Sequence, residues 1–86
     1  MTVDRPMLPP PDRLTLWPVE GGRFGLDAVF SGAFGKSYAK EHQAALQVGG
    51  LKSSLKRDRR EDTWTLRMGP LTADAARVAV EAFLGL

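Results

Sequence analysis

Cysteine, isoleucine and asparagine do not occur in this chain, and histidine occurs once, at His42. Without cysteine there is no disulfide framework, no thiolate zinc site and no cysteine nucleophile. One imidazole supplies neither a ligand cluster for another transition metal nor a legible Ser–His–Asp relay. The expectation is therefore a non-enzyme with no metal and no cofactor. Long apolar runs are missing too, since nothing approaches the roughly 18–20 residues that span a bilayer. The opening MTVDRPMLPPPDR has no apolar stretch of the secretory kind, so the expected location is the cytoplasm, away from membranes.

At 86 residues the chain is sized for one domain. A chain of this length buries only about 60–65% of the surface its unfolded form exposes. Small domains compensate with disulfides, a structural metal or self-association. With the first two excluded, a homodimer is the remaining route, reached by elimination. The net charge is +2, with eight Arg against four Lys. That balance, with abundant Ala, Gly and Leu, points to a GC-rich bacterial or phage genome.

Residues 1–12 hold Pro6, Pro9, Pro10 and Pro11. Proline fixes φ and lacks the ladder donor, so this stretch reads as a flexible Pro-rich arm, with residues 13–86 as a single small α+β domain. Arg13 to Val19 alternates, Leu14 and Leu16 on one side and Thr15 and Trp17 on the other, with Pro18 marking an edge strand or a strand end. Glu20-Gly21-Gly22 is a turn, and Phe24, Leu26, Ala28 and Phe30 then share one face of a second strand. From Lys36 to Gln47 the pattern is helical, with Ser37 as N-cap, Tyr38, Ala45 and Leu46 near one face, and Gly49-Gly50 as the stop. A strand over Ala45 to Val48 is the alternative.

A second hairpin follows, with Lys52, Ser54 and Lys56 opposed by Thr63, Thr65 and Arg67 on the polar face, and Leu55, Trp64, Leu66 and Met68 on the apolar one. Its turn, Arg57 to Asp62, is entirely charged and belongs in water. Pro70 stops the strand and Thr72 caps the last helix. Ala76, Ala79, Val80 and Phe83 form its buried stripe, extended by Ala73 and Leu84, with Arg77 and Glu81 pairing on the far side. The expected fold is α+β: two antiparallel hairpins forming one sheet of about four strands, packed by the C-terminal amphipathic helix, with a short middle helix.

Two surfaces carry chemistry. Lys52, Lys56, Arg57, Arg59, Arg60 and Arg67 form a basic hairpin surface, and cations interleaved with hydroxyls suit phosphate groups. The first function reading is therefore a small regulatory protein contacting nucleic acid through this hairpin. The second reading is a protein–protein module, an inhibitor or assembly factor, using the arm (Pro9, Pro10, Pro11) and Trp17 on the first edge strand. Apart from these, FSGAFGKS at 30–37 resembles the phosphate-binding P-loop, although Phe30 stands where that motif has glycine. What the resemblance implies here is anion binding by Gly35, Lys36 and Ser37, not nucleotide hydrolysis.

WTLRMGPLTADAARVAVEAF at 64–83 looks like the last strand and helix of the ethylene-response type of DNA-binding domain. It also resembles the middle of SPOR peptidoglycan-binding domains. The match spans about 20 residues, implies a strand feeding an Ala-rich helix, and transfers no site residue.

Overall fold

The computed structural model describes residues 8–86. Strand β1 (Arg13–Val19) and strand β2 (Arg23–Phe30) form the first hairpin, joined by a 3-10 turn at Glu20–Gly22. Gly21 and Gly22 have φ of 78° and 69°, left-handed values that glycine reaches without a Cβ penalty. Helix α1 (Gly35–Val48) follows, then β3 (Ser54–Asp58), β4 (Thr63–Leu71) and helix α2 (Ala73–Leu84).

The four strands form one antiparallel sheet in the order β1-β2-β4-β3. β4 therefore inserts between β2 and β3, which run parallel to each other on either side of it. The segment β2–α1–β3 is a split β-α-β unit. Moving β1 behind α2 would give the order β-α-β-β-α-β; the chain instead places that outer strand first, as half of a hairpin.

Register decides which side chains meet. Leu14, Ala28 and Leu66 lie in one row across β1, β2 and β4, and Leu16, Leu26 and Met68 in the next. These rows face the helices. Leu26, Ala28, Phe30, Leu66 and Met68 of the sheet join Ala39 and Leu46 of α1 and Ala79 and Phe83 of α2 in one buried cluster. Both helices thus cover the same face of the sheet, and among the described residues the other face carries no helix. Alanines at 76 and 79 give α2 a low surface against the strands, consistent with its 3.6-residue stripe.

His42 belongs to this core. It is 4% exposed, with its ring centroid 5.2 Å from Phe30 and 5.3 Å from Phe83. Its Nε2 donates to the Pro9 carbonyl at 2.7 Å, so the buried imidazole is satisfied. Residues 8–11 have no regular secondary structure, and residues 1–7 of the arm lie outside the described residues. Asp12 closes the arm onto the domain, its carboxylate accepting from the Ser31 backbone N–H at 2.6 Å and the Ser31 hydroxyl at 2.7 Å.

Four local expectations are corrected. Ser37 does not cap α1: the helix begins at Gly35 with Phe34 in the capping position and no side-chain cap, which places Ser37 in the first turn. The buried stripe of α1 runs through Ala39, His42 and Leu46, leaving Ala45 exposed, and residues 45–48 are helical. Pro70 does not stop β4. Phe24 pairs with Leu71 while Leu26 pairs with Met68, so Gly69 and Pro70 stand opposite Gly25 in a bulge, where a residue without an N–H is accommodated. On α2, Ala73 and Leu84 are exposed because the helix packs on the core along Ala76, Ala79, Val80 and Phe83. Thr72 does cap α2, accepting from the Ala75 N–H at 3.2 Å, and Arg77 bonds Glu81 at 3.4 Å.

Candidate functional site

The helix-free face of the sheet is built by the residues that alternate with the core rows. β1 contributes Arg13, Thr15 and Trp17, β2 contributes Arg23, Gly25, Asp27 and Val29, and β4 contributes Thr63, Thr65 and Arg67. β3 adds Ser54, Lys56 and Asp58. Period-2 alternation forces this segregation, since every neighbour of a core-facing residue points the other way.

At the centre of the face, Arg67 and Asp27 are cross-strand partners. Nε of Arg67 reaches Oδ1 of Asp27 and Nη2 reaches Oδ2, both at 2.9 Å, a bidentate pairing. The Asp27 side chain is 17% exposed and that of Arg67 54%. The hydrogen bond to Asp27, with the carboxylate charge behind it, holds the Arg67 guanidinium above its ordinary range, so it stays cationic wherever the protein is folded. The same guanidinium lies 5.5 Å from the centroid of the Trp17 ring.

Two hollows flank this pair. One, of about 390 Å³, is polar and includes Arg13, Thr15, Asp27, Lys56, Thr65 and Arg67 in its lining. The other, of about 420 Å³, is apolar and bounded by Trp17, Val19, Glu20, Gly25, Arg67 and Pro70. Arg67 borders both. Among the described residues, no carboxylate lies within salt-bridge distance of Arg13, Arg23 or Lys56.

The basic hairpin residues are only partly gathered. Lys56 and Arg67 share the open face. Lys52 precedes β3, outside the ladder that was expected to carry it. Arg57 pairs with Trp64 and so belongs to the helix side by register; its Nη2 bonds Asp62 at 3.1 Å and its guanidinium lies 5.7 Å from the Trp64 ring. Arg59 and Arg60 are exposed in the turn, which Asp58 organises by accepting from the N–H groups of Arg60 and Glu61.

Of the loop residues, Gly35 is buried and donates its N–H to the Gly32 carbonyl at 3.1 Å. Lys36 places Nζ 5.1 Å from the Trp64 ring, which brings it to the same tryptophan as Arg57. Ser37 is exposed beside it. Trp17 and the prolines are not brought together: the arm enters beside the Arg13 end of β1, and Trp17 lies four residues along the strand, about 13 Å away.

Sequence reasoning missed Arg13, Arg23, Thr15 and Asp27 as members of one surface. The alternation in RLTLWPV carried the signal, and it needed only the polar sides of both hairpins to be laid on the same side of one sheet. Comparison with protein families, curated proteins and solved structures found no match.

Proposed function

We propose that the protein is a small, non-catalytic, cytoplasmic binding module that contacts the phosphate backbone of a nucleic acid. It does so through the open sheet face and the adjoining β3–β4 turn. One observation carries this reading: an open face that gathers Arg13, Arg23, Lys56 and Arg67 with the hydroxyls of Thr15, Ser54 and Thr65, against Asp27, Asp58 and, at the rim of the apolar hollow, Glu20. Cations release condensed counterions from phosphates, and hydroxyls fix register on the backbone. Arg59 and Arg60 extend the charge beyond the end of the ribbon.

The test is a fluorescence-anisotropy titration with labelled single- and double-stranded DNA and RNA at low and moderate salt. The affinity is expected to fall with salt at a log–log slope of roughly −0.7 to −0.9 per phosphate contacted. The double variant Arg59→Glu, Arg60→Glu and the single variant Lys56→Glu each weaken binding to every sequence alike. Absence of binding to any polynucleotide at low salt overturns the proposal.

The protein-interaction reading is favoured by one feature. β1 is an edge strand with its ladder open on one side, and Leu16 on it is 49% exposed. That reading predicts a salt-insensitive association, lost on deleting residues 1–12 or on Trp17→Ala. Sedimentation of the same samples reads out whether the partner is a second copy.

A further inference from the structure

We infer that the apolar hollow at Trp17 seats an unstacked base of a single-stranded nucleic acid, making the open face a single-strand site and not a duplex clamp. The inference rests on the polynucleotide reading above and names its substrate class.

The argument begins at Gly25. A Cβ built there would lie 2.3 Å from Cζ2 and 2.4 Å from Cε2 of Trp17, so the indole is seated directly on the β2 backbone. Glycine at 25 allows that seat. A ring held low across a strand offers a broad apolar surface at small entropic cost, because its orientation is already fixed. Pro70 and Val19 continue that surface, and the hollow of about 420 Å³ is of the size that small planar ligands occupy.

Arg67 forms the border between this hollow and the cationic one. Its guanidinium is held by both oxygens of Asp27, so it is positioned before any ligand arrives. The face is thus divided: an apolar seat at Trp17, a fixed guanidinium beside it, then Thr15, Lys56 and Arg13. Trp17 and Thr15 are two residues apart on one strand, about 7 Å.

A ligand complementary to this division presents planar apolar groups and anionic groups alternately. Single-stranded DNA or RNA does so, whereas a duplex keeps its bases stacked inside. Sheet faces that combine aromatic platforms with basic side chains bind single strands by this logic, with base stacking supplying sequence-tolerant affinity.

The experiment uses the full chain carrying Trp64→Phe, which leaves Trp17 as the only tryptophan. Its emission and the anisotropy of labelled probes are followed with oligothymidylate, oligouridylate, a duplex of equal length, and inorganic polyphosphate as a polyanion without bases. Oligothymidylate or oligouridylate is expected to quench Trp17 and to bind about tenfold more tightly than polyphosphate. Trp17→Leu lowers that affinity about tenfold and leaves polyphosphate binding within about twofold, and Trp17→Phe, which keeps a ring, restores most of it. Circular dichroism melts confirm that each variant is folded.

Equal binding of oligonucleotide and polyphosphate, with Trp17→Leu and Trp17→Phe changing neither, overturns the base seat and leaves the polynucleotide proposal standing. Tighter binding of duplex than of single strand also overturns it. Failure of every polyanion to bind overturns the broader proposal, and this inference with it.

Discussion

Replacing Gly25 by alanine tests the seat of Trp17 through stability alone. Gly25 is buried in β2 and its φ lies outside the left-handed region, so the backbone itself accepts an L side chain. The obstacle is Trp17, whose Cζ2, Cε2 and Nε1 would lie 2.3, 2.4 and 2.8 Å from the new Cβ. Non-bonded carbons rest at about 3.5–4.0 Å, so the indole must retreat by more than about 1 Å. Steric insertion of this kind costs about 1–3 kcal/mol.

Against that cost, alanine is favoured over glycine in a strand interior by about 0.5–1 kcal/mol. The net expectation for Gly25→Ala is a loss of about 1 kcal/mol, or about 4–8 °C in Tm for a domain of this size. In a Trp17→Ala background the clash is gone, and the same substitution should stabilise by about 0.5–1 kcal/mol. The sign change is the diagnostic, with a coupling of about 2 kcal/mol in the double-mutant cycle. Urea unfolding of the four proteins, followed by far-UV circular dichroism, measures it. If Gly25→Ala is equally costly with and without Trp17, the indole is not what requires glycine, and the reasoning is refuted.

Three further predictions concern the core and the central ion pair. Phe83 is 1% exposed and packs against Phe30 and His42, so Phe83→Ala should cost about 3–5 kcal/mol and leave little of the native signal in a thermal melt. Asp27→Asn removes the carboxylate charge facing Arg67, and polynucleotide affinity in the anisotropy assay should rise by about a fewfold, with the salt dependence becoming steeper. Arg67 contributes no pH dependence between neutral and moderately alkaline conditions. The folded Arg67 value is raised, so its share of stability is fully present below the unfolded value and is lost only as pH climbs through the folded one. A Tm that falls on going from neutral to moderately alkaline pH in the native chain, but not in Asp27→Asn, would contradict this.

Much of the fold was legible because the informative terms are local. Alternation over five or six residues marked both strands of each hairpin, two glycines marked the first turn, and Thr72 with the Ala76–Ala79–Phe83 spacing marked the last helix. The misplacements share a cause. Pro70 remains inside β4 because the bulge opposite Gly25 takes up the missing donor, a feature of the partner strand and not of the proline. His42, which the sequence pattern assigned to no face, is a core residue because Phe30, Phe83 and the Pro9 carbonyl surround it, and these come from 12 to 41 residues away in sequence.

The candidate site shows the same division. The sequence alone determined that Thr15 and Trp17 share one side of their strand, that Lys56 and Arg67 stand on polar sides of theirs, and that Arg59 and Arg60 sit in a solvated turn. These follow from the period of two and from the cost of burying unpaired charge. Only the tertiary structure decided that β4 enters between β2 and β3, that both helices cover the same face, and that Asp27 clasps Arg67 beside Trp17. Strand order and face assignment are settled by apolar area buried between segments far apart in the chain, a quantity that no local window contains.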